Sequence, residues 1–228
     1  MTRIKKNYKN IIYLTFIILS LIPFILHFIL DNGLEMPVVN FSFIVLCFIV
    51  TLLTFNKTKH NLLQLGAIIF TLIADYFLTL KEIYFIFSII LFTIVQIFYF
   101  IRILDYSNRK EIIINIIFRI LLVAFIAFIS FTLLKSVMNE LIVVALFYYV
   151  NFLVNVIFAF IHFKDNKLLA LGLLFFILCD TMIGFQEMVG IFNLSENSFI
   201  YIISQTPYNI PWMFYIPAQI LLLLSKNG

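Results

Sequence analysis

The sequence predicts an all-α polytopic membrane protein: a bundle of eight transmembrane helices forming a single domain over residues 1–228. Three observations predict it. Of the 228 residues, 64% are hydrophobic and 11% charged, and the mean hydropathy is +1.14. A soluble domain averages roughly 45–50% apolar and about 25% charged. Apolar segments of spanning length recur between charged or turn-rich joints. The basic residues gather at alternate joints.

A spanning helix needs about 20 mostly apolar residues at about 1.5 Å rise each. The segments that meet this run over 9–30, 38–55, 61–80, 83–103, 112–134, 141–162, 168–189 and 209–225. Backbone polar groups in lipid must be bonded within their own segment, so each is read as a helix. The first apolar run, 11–30, follows Arg3, Lys5, Lys6 and Lys9 and so resembles a signal peptide. It is long, and no small-residue cleavage site follows, so it reads as a retained helix.

The joints support eight crossings. With the N-terminus inside, the inner side holds Arg3, Lys5, Lys6, Lys9, Lys57, Lys59, Arg102, Arg109, Lys110, Lys164, Lys167 and Lys226. The outer joints hold Lys81 and Lys135, and Arg119 falls within the fifth segment. This asymmetry places both termini on the cytoplasmic side of a cell membrane. The stretch 191–209 is too polar to span. Tyr201, Tyr208 and the following Trp212 place it along the outer interface, where it leads into the last helix or covers an opening.

Other function classes lose ground on the same reading. The pI near 9.0 does not imply nucleic acid, because the basic residues sit in short joints and form no patch. Cys47 and Cys179 lie in apolar runs and read as inert core thiols. His27, His60 and His162 are scattered without metal-ligand spacing, so neither a metal site nor a cofactor is expected.

Two carboxylates stand out. "LLQLGAIIFTLIADYFLTL" (62–80) carries Asp75, and "LLALGLLFFILCDTMIGF" (168–185) carries Asp180. Each lies about 20 Å along its helix from the inner edge, on helices that run the same way. The likeness of the two stretches hints at a 4+4 internal duplication, related by an axis along the membrane normal. An acid at this depth costs several kcal/mol unless it faces the bundle interior, where it usually carries function. The plain alternative is a neutral acid bonded to a neighbouring helix. Asp75 and Asp180 are expected to face one another across an interior cavity. Tyr148, Asn151 and Asn155 share one face of the sixth helix and are expected to line that cavity, or to bond helices together. Gln96 and Gln219 lie near mid-depth, where each could orient a carboxyl or a water. Arg119 is expected by default to snorkel to the inner interface; it could instead meet Asn155 at similar depth or hold a lipid phosphate.

Four stretches resemble the lysoplasmalogenase-like integral membrane proteins of YhhN type. They are "GAIIFTLIADYFL", "LALGLLFFILCDTMI", "VVALFYYVNFLVNVIFAF" and "FYIPAQILLLL". Ala74 and Cys179 stand where the family commonly has Gly and Ser, and Gln96 stands where it often has His. Met36-Pro37 stands where a Lys-Pro is usual. The resemblance implies hydrolysis of the vinyl ether bond of lysoplasmalogens, giving a fatty aldehyde and a glycerophospho-alcohol. The partners implied are a lysophospholipid substrate and membrane lipid. Asp75 and Asp180 would be catalytic, and Tyr148, Asn151, Asn155, Gln96 and Gln219 would bind substrate. A proton-coupled transporter or flippase using the same acids is the competing class. Against it, the third to seventh helices contain no Pro. A non-catalytic membrane protein is the third reading.

Overall fold

The computed structural model describes residues 2–29, 36–81, 84–192, 194–206 and 208–227. The side chains of Arg3, Lys5, Lys6 and His27 lie outside the described residues. Nine α-helices run through them: α1 (Thr2–Ile29), α2 (Pro37–Leu53), α3 (Lys59–Asp75), α4 (Phe85–Leu104), α5 (Arg109–Leu133), α6 (Glu140–Ile161), α7 (Lys167–Ile191), α8 (Phe199–Ser204) and α9 (Ile210–Leu224). Each apolar segment of the sequence became a helix, but α1 starts at Thr2 instead of 9, and the α-helical part of the third segment stops at Asp75 instead of reaching 80. α8 is the addition, a six-residue helix inside the polar stretch 191–209.

Among the described residues six helices are long and apolar enough to cross a membrane, α3 being counted with the segment that continues it to Lys81, whereas α2 and α9 are shorter apolar helices. At 17 and 15 residues they reach about 25 and 22 Å, against a hydrocarbon core of about 30 Å. Pro37 and Pro211 open these two helices, where proline's missing N–H is no loss. Side chains cap the starts of α3, α5, α6 and α7. Thr58 accepts from the Asn61 N–H, Asn139 from Ile142, and Asn166 from Leu169. Asn108 and Glu111 form a reciprocal capping box at α5.

The bundle is built from close helix pairs. α3 packs on α4 and α7 on α9, and α4 on α6 joins the halves; α1 and α5 sit at the periphery. α1 packs on α2 and α9, while α5 packs on α6. Gly66 and Gly172 occupy the same place in the two similar stretches and do the same work. A Cβ on Gly66 would lie 2.5 Å from the Phe98 ring of α4. One on Gly172 would lie 2.8 Å from Leu222 Cγ and 3.0 Å from the Leu222 backbone nitrogen of α9. Small residues at such positions let helices approach closely.

The joints after α2, α4 and α6 meet the C-terminal turn at one end of the bundle. Arg102 is fully buried there and donates to Gln64 Oε1 (2.8 Å) and Ser225 Oγ (2.7 Å). Lys226 is buried too and donates to Thr54 Oγ1 (2.7 Å). Asn61 donates to the Lys226 carbonyl (3.3 Å), and Asn166 to the Ser225 carbonyl (3.0 Å) and the Tyr106 hydroxyl (3.1 Å). Lys59 pairs with Asp105, and Ser107 Oγ lies 3.0 Å from His162 Nε2. Arg102 and Lys226, expected in open joints, are therefore interior groups that tie the last turn to α2, α3 and α4.

Two outcomes follow from this packing. Gly172→Ala should lower the melting temperature in detergent more than Gly66→Ala. Gly172 meets backbone that cannot yield, while Gly66 meets the far end of a side chain; overpacking costs about 1–3 kcal/mol. The second concerns Lys226. Burial, with Lys9 and Arg102 nearby, lowers its ammonium from 10.5 to about 7. The unfolded chain then binds the extra proton between these values, so stability rises with pH across that window. Thermal unfolding followed from pH 7 to 10 should show this rise in wild type, and Lys226→Met should flatten it.

Candidate functional site

The site forms where α3 and α7 bring their acids together. Asp75 is the last residue of α3, and a π-helical segment, Tyr76–Lys81, follows at once. The Thr79 hydroxyl donates to the Asp75 carbonyl across this segment. Insertions of this kind inside α-helices are frequent at functional sites. Asp180 sits in an unbroken α7.

Both carboxyls line one cavity of about 350 Å³. Its wall includes Asn40 of α2, Leu78 and Thr79 of the π segment, Phe92 of α4, Phe176, Cys179 and Glu187 of α7, and Trp212 and Tyr215 of α9. The two carboxyls reach this space from different helices, Asp75 from α3 and Asp180 from α7. Each is held by a phenol from another helix. The Tyr215 hydroxyl donates to Asp75 Oδ2 (2.5 Å), and the Tyr148 hydroxyl to Asp180 Oδ2 (2.5 Å). Asp75 is 2% exposed, whereas Asp180 is half-buried at the cavity wall. Aromatic rings close the space between: Phe176 packs edge-on against Phe92, Phe152 and Tyr215, and Trp212 against Tyr215.

The remaining expected site residues are placed differently. Tyr148 reaches Asp180, but Asn151 and Asn155 turn away from the cavity to α5. Arg119 Nη1 donates to Asn151 O and Oδ1 (both 3.0 Å), and Nη2 donates to Asn155 Oδ1 (2.7 Å) and Asn115 Oδ1 (3.3 Å). The guanidinium also stacks 4.5 Å over the Phe100 ring. Arg119 therefore meets Asn155, the alternative to snorkelling, and the asparagines serve it instead of lining the cavity. A cation on a lipid-facing helix needs acceptors, and these amide oxygens are the nearest. Asn155 in turn donates to Gln96 O (2.9 Å) and Oε1 (3.2 Å). Gln96 and Gln219 are both buried and both lie behind the cavity wall. The amide nitrogen of each is without a hydrogen-bond partner.

Sequence reasoning did not single out Tyr215, the π segment or Glu187. Tyr215 stood in the stretch "FYIPAQILLLL", but nothing local connects it to an acid 140 positions away. Among the described residues, no cluster of three or more His, Cys, Asp or Glu could hold a metal ion.

Long apolar helices closing around a carboxylate-lined interior cavity are the build of a helical membrane protein with an internal site. Within that class the chain belongs to the YhhN family, whose model matches residues 36–226. The match runs from just before α2 into the C-terminal turn and includes both aspartates and both tyrosines. Membership suggests a lysoplasmalogenase-like function at the level of the family, one associated with hydrolase activity. Comparison with curated proteins and with solved structures found no match.

The two tyrosines should differ in what they hold. Tyr215→Phe leaves a fully buried carboxyl oxygen without its donor, a loss of about 1–3 kcal/mol. Tyr148→Phe exposes its acid to a cavity that water can fill. Thermal unfolding in detergent should therefore show the larger loss for Tyr215→Phe.

Proposed function

We propose that the protein is an intramembrane lipid hydrolase resembling lysoplasmalogenase. It cleaves the vinyl ether bond of a lysoplasmalogen to a fatty aldehyde and a glycerophospho-alcohol, with Asp75 and Asp180 as an acid–base pair. The observation that carries this reading is the shared cavity: two carboxylates from two helices, each oriented by a tyrosine of another helix. We read α2 and α9 as completing eight crossings, with both termini cytoplasmic. The gathering of alternate joints at one end of the bundle supports that topology.

The chemistry asks for two carboxyls in different states. A vinyl ether is cleaved by protonation of its β-carbon, which leaves an oxocarbenium ion that water captures. One carboxylic acid supplies the proton, and one carboxylate steadies the cation and takes a proton from the water. Glycosidases divide the work of two carboxyls in the same way. Carboxyls sharing a small cavity hold a proton between them, which provides both forms at once. Tyr148 and Tyr215 orient the pair. Asn151, Asn155, Gln96 and Gln219 support the wall from behind, and Phe92, Phe176 and Trp212 give the apolar surface that an alkenyl chain needs.

One observation favours the transporter reading: α3 loses its α-helical register directly after Asp75, and interrupted helices mark many transporter sites. A single experiment separates the two. Purified protein incubated with alkenyl, acyl and alkyl lysophospholipids should release aldehyde from the alkenyl lipid alone, measured by mass spectrometry. Asp75→Asn and Asp180→Asn should each abolish release while the protein still folds. The double variant should be scarcely worse than either single one, since residues acting as a unit are not additive. Near-normal turnover by both Asn variants would sink the acid–base pair. Lipid or proton flux in vesicles without any product would favour transport.

A further inference from the structure

A buried seam runs between α3 and α9. On α3 it consists of Asn61, Gln64, Ile68, Thr71 and Asp75, whose spacing puts them on one face of the helix. On α9 it consists of Tyr215, Gln219 and Leu222, continued by Ser225 and Lys226. Each of these residues is 4% exposed or less. Ties at the two ends set an antiparallel register. Tyr215 donates to Asp75 Oδ2 at one end (2.5 Å), and Asn61 donates to the Lys226 carbonyl at the other (3.3 Å). One turn inward from the Asp75–Tyr215 tie come Thr71 and Gln219, and one turn further come Ile68 and Leu222.

The level of Thr71 and Gln219 is left unanswered by side chains. Thr71 is 0% exposed and Gln219 1%, yet the Thr71 hydroxyl and the Gln219 amide nitrogen have no hydrogen-bond partner. Thr51, Thr93 and Thr181 return their hydroxyls to the carbonyl four residues earlier, and Thr71 does not. Beneath the other acid the same level is filled with rings. One turn inward from Asp180 and Tyr148 stand Phe176 and Phe152, their centroids 5.1 Å apart. Glutamine and threonine are together shorter than the tyrosine and aspartate that meet one turn above, which leaves a gap between their polar tips. Buried groups in this position are answered by ordered water, which takes roughly two to four polar partners.

We infer that Thr71 and Gln219 hold a buried water beneath Asp75, with the Asp75–Tyr215 pair as its roof and Ile68 and Leu222 as its apolar floor. The Gln219 N–H donates to the water oxygen, the Thr71 hydroxyl gives or accepts a second bond, and the water turns a hydrogen to the carboxyl above. Its role in chemistry rests on the hydrolase reading, but the water site does not. Vinyl ether hydrolysis consumes one water per turnover, and an alkenyl chain against Phe92, Phe176 and Trp212 displaces water from the cavity. The site keeps one water beside Asp75 that the chain does not displace. On use, its oxygen bonds to the oxocarbenium carbon and one of its protons passes to the carboxylate of the pair. The hemiacetal then breaks its C–O bond to glycerol, and its hydroxyl proton passes to the departing oxygen.

A double-mutant cycle in the full-length protein tests the site without turnover. Thr71→Val and Gln219→Met each remove one partner at similar volume, and each should lower the melting temperature in detergent. The double variant should melt scarcely lower than either single one, because the water is lost only once. Infrared difference spectra of hydrated films in oxygen-18 water against ordinary water should show the O–H stretch of an internal water in wild type. Thr71→Val and Gln219→Met should remove that band. Thr71→Ser keeps the hydroxyl and should shift the band without removing it, which covers the case of a poorly folding Val or Met variant. A rise in melting temperature for either single variant overturns the inference, since that is the result for an orphaned donor without water. So do losses that simply add, or a spectrum with no band that responds to position 71. In turnover, Thr71→Val should lower kcat about tenfold, the worth of one hydrogen bond, with KM little changed. Wild-type kcat in that variant overturns the water's part in the reaction. If the cycle and the band behave as expected but no alkenyl lipid is cleaved, the water site stands and the hydrolase reading falls.

Discussion

Much of this molecule depends on one constraint: a polar side chain inside an apolar bundle has no bulk water to turn to, so its partner must come from another helix. The two aspartates state it most sharply. Neither bonds within its own helix through its carboxyl; each takes a phenolic hydroxyl from elsewhere, Asp75 from α9 and Asp180 from α6. The acids thus act as cross-ties. In satisfying them, the fold aims two carboxyls at the same space. Structural need and chemical capacity come from the same four side chains.

The cations follow the same constraint with a different outcome. Arg102, Lys226 and Arg119 are answered mainly by hydroxyls, amides and carbonyls. Replacing acids by neutral acceptors avoids fixing the charges in closed ion pairs, which in an interior often repay little of their desolvation. At the end of the bundle this yields a knot of neutral bonds around the C-terminal turn. On α5 it leaves Arg119 held by amide oxygens of α5 and α6.

What could be read from the sequence was what local periodicity and composition encode. The eight apolar runs became helices because a run of that length in lipid has no other way to bond its backbone. The joint caps, Thr58, Asn108, Asn139 and Asn166, stood at the helix starts for local reasons. Asp75 and Asp180 were conspicuous because acids are costly at their depth. The rest depended on contacts between distant segments. Nothing within 76–81 announces a π segment, since that register is set by what packs on it. The i, i+3, i+7 spacing of Tyr148, Asn151 and Asn155 showed a shared stripe, but not that Tyr148 leans to α7 while the asparagines lean to α5. Arg102 and Lys226 looked like joint residues because burial is invisible in a charge count. Gly66 and Gly172 were legible as a repeated motif, though their role of admitting a neighbouring helix was not.

The span between Asp75 and Tyr215 has a consequence for biosynthesis. A ribosome delivers α3 to the bilayer long before α9, with 140 residues still to be made. Throughout that interval Asp75 has no phenol to bond, and the C-terminal turn that fastens Arg102 and Thr54 does not yet exist. The nascent chain must therefore shelter an unanswered acid, as a neutral carboxyl or against the insertion machinery, until the last helix docks. Asp180 waits for nothing, because its tyrosine on α6 precedes it. One half of the site is thus ready as α7 inserts, while the other is completed by the final helix, so that only a finished chain holds both carboxyls in place.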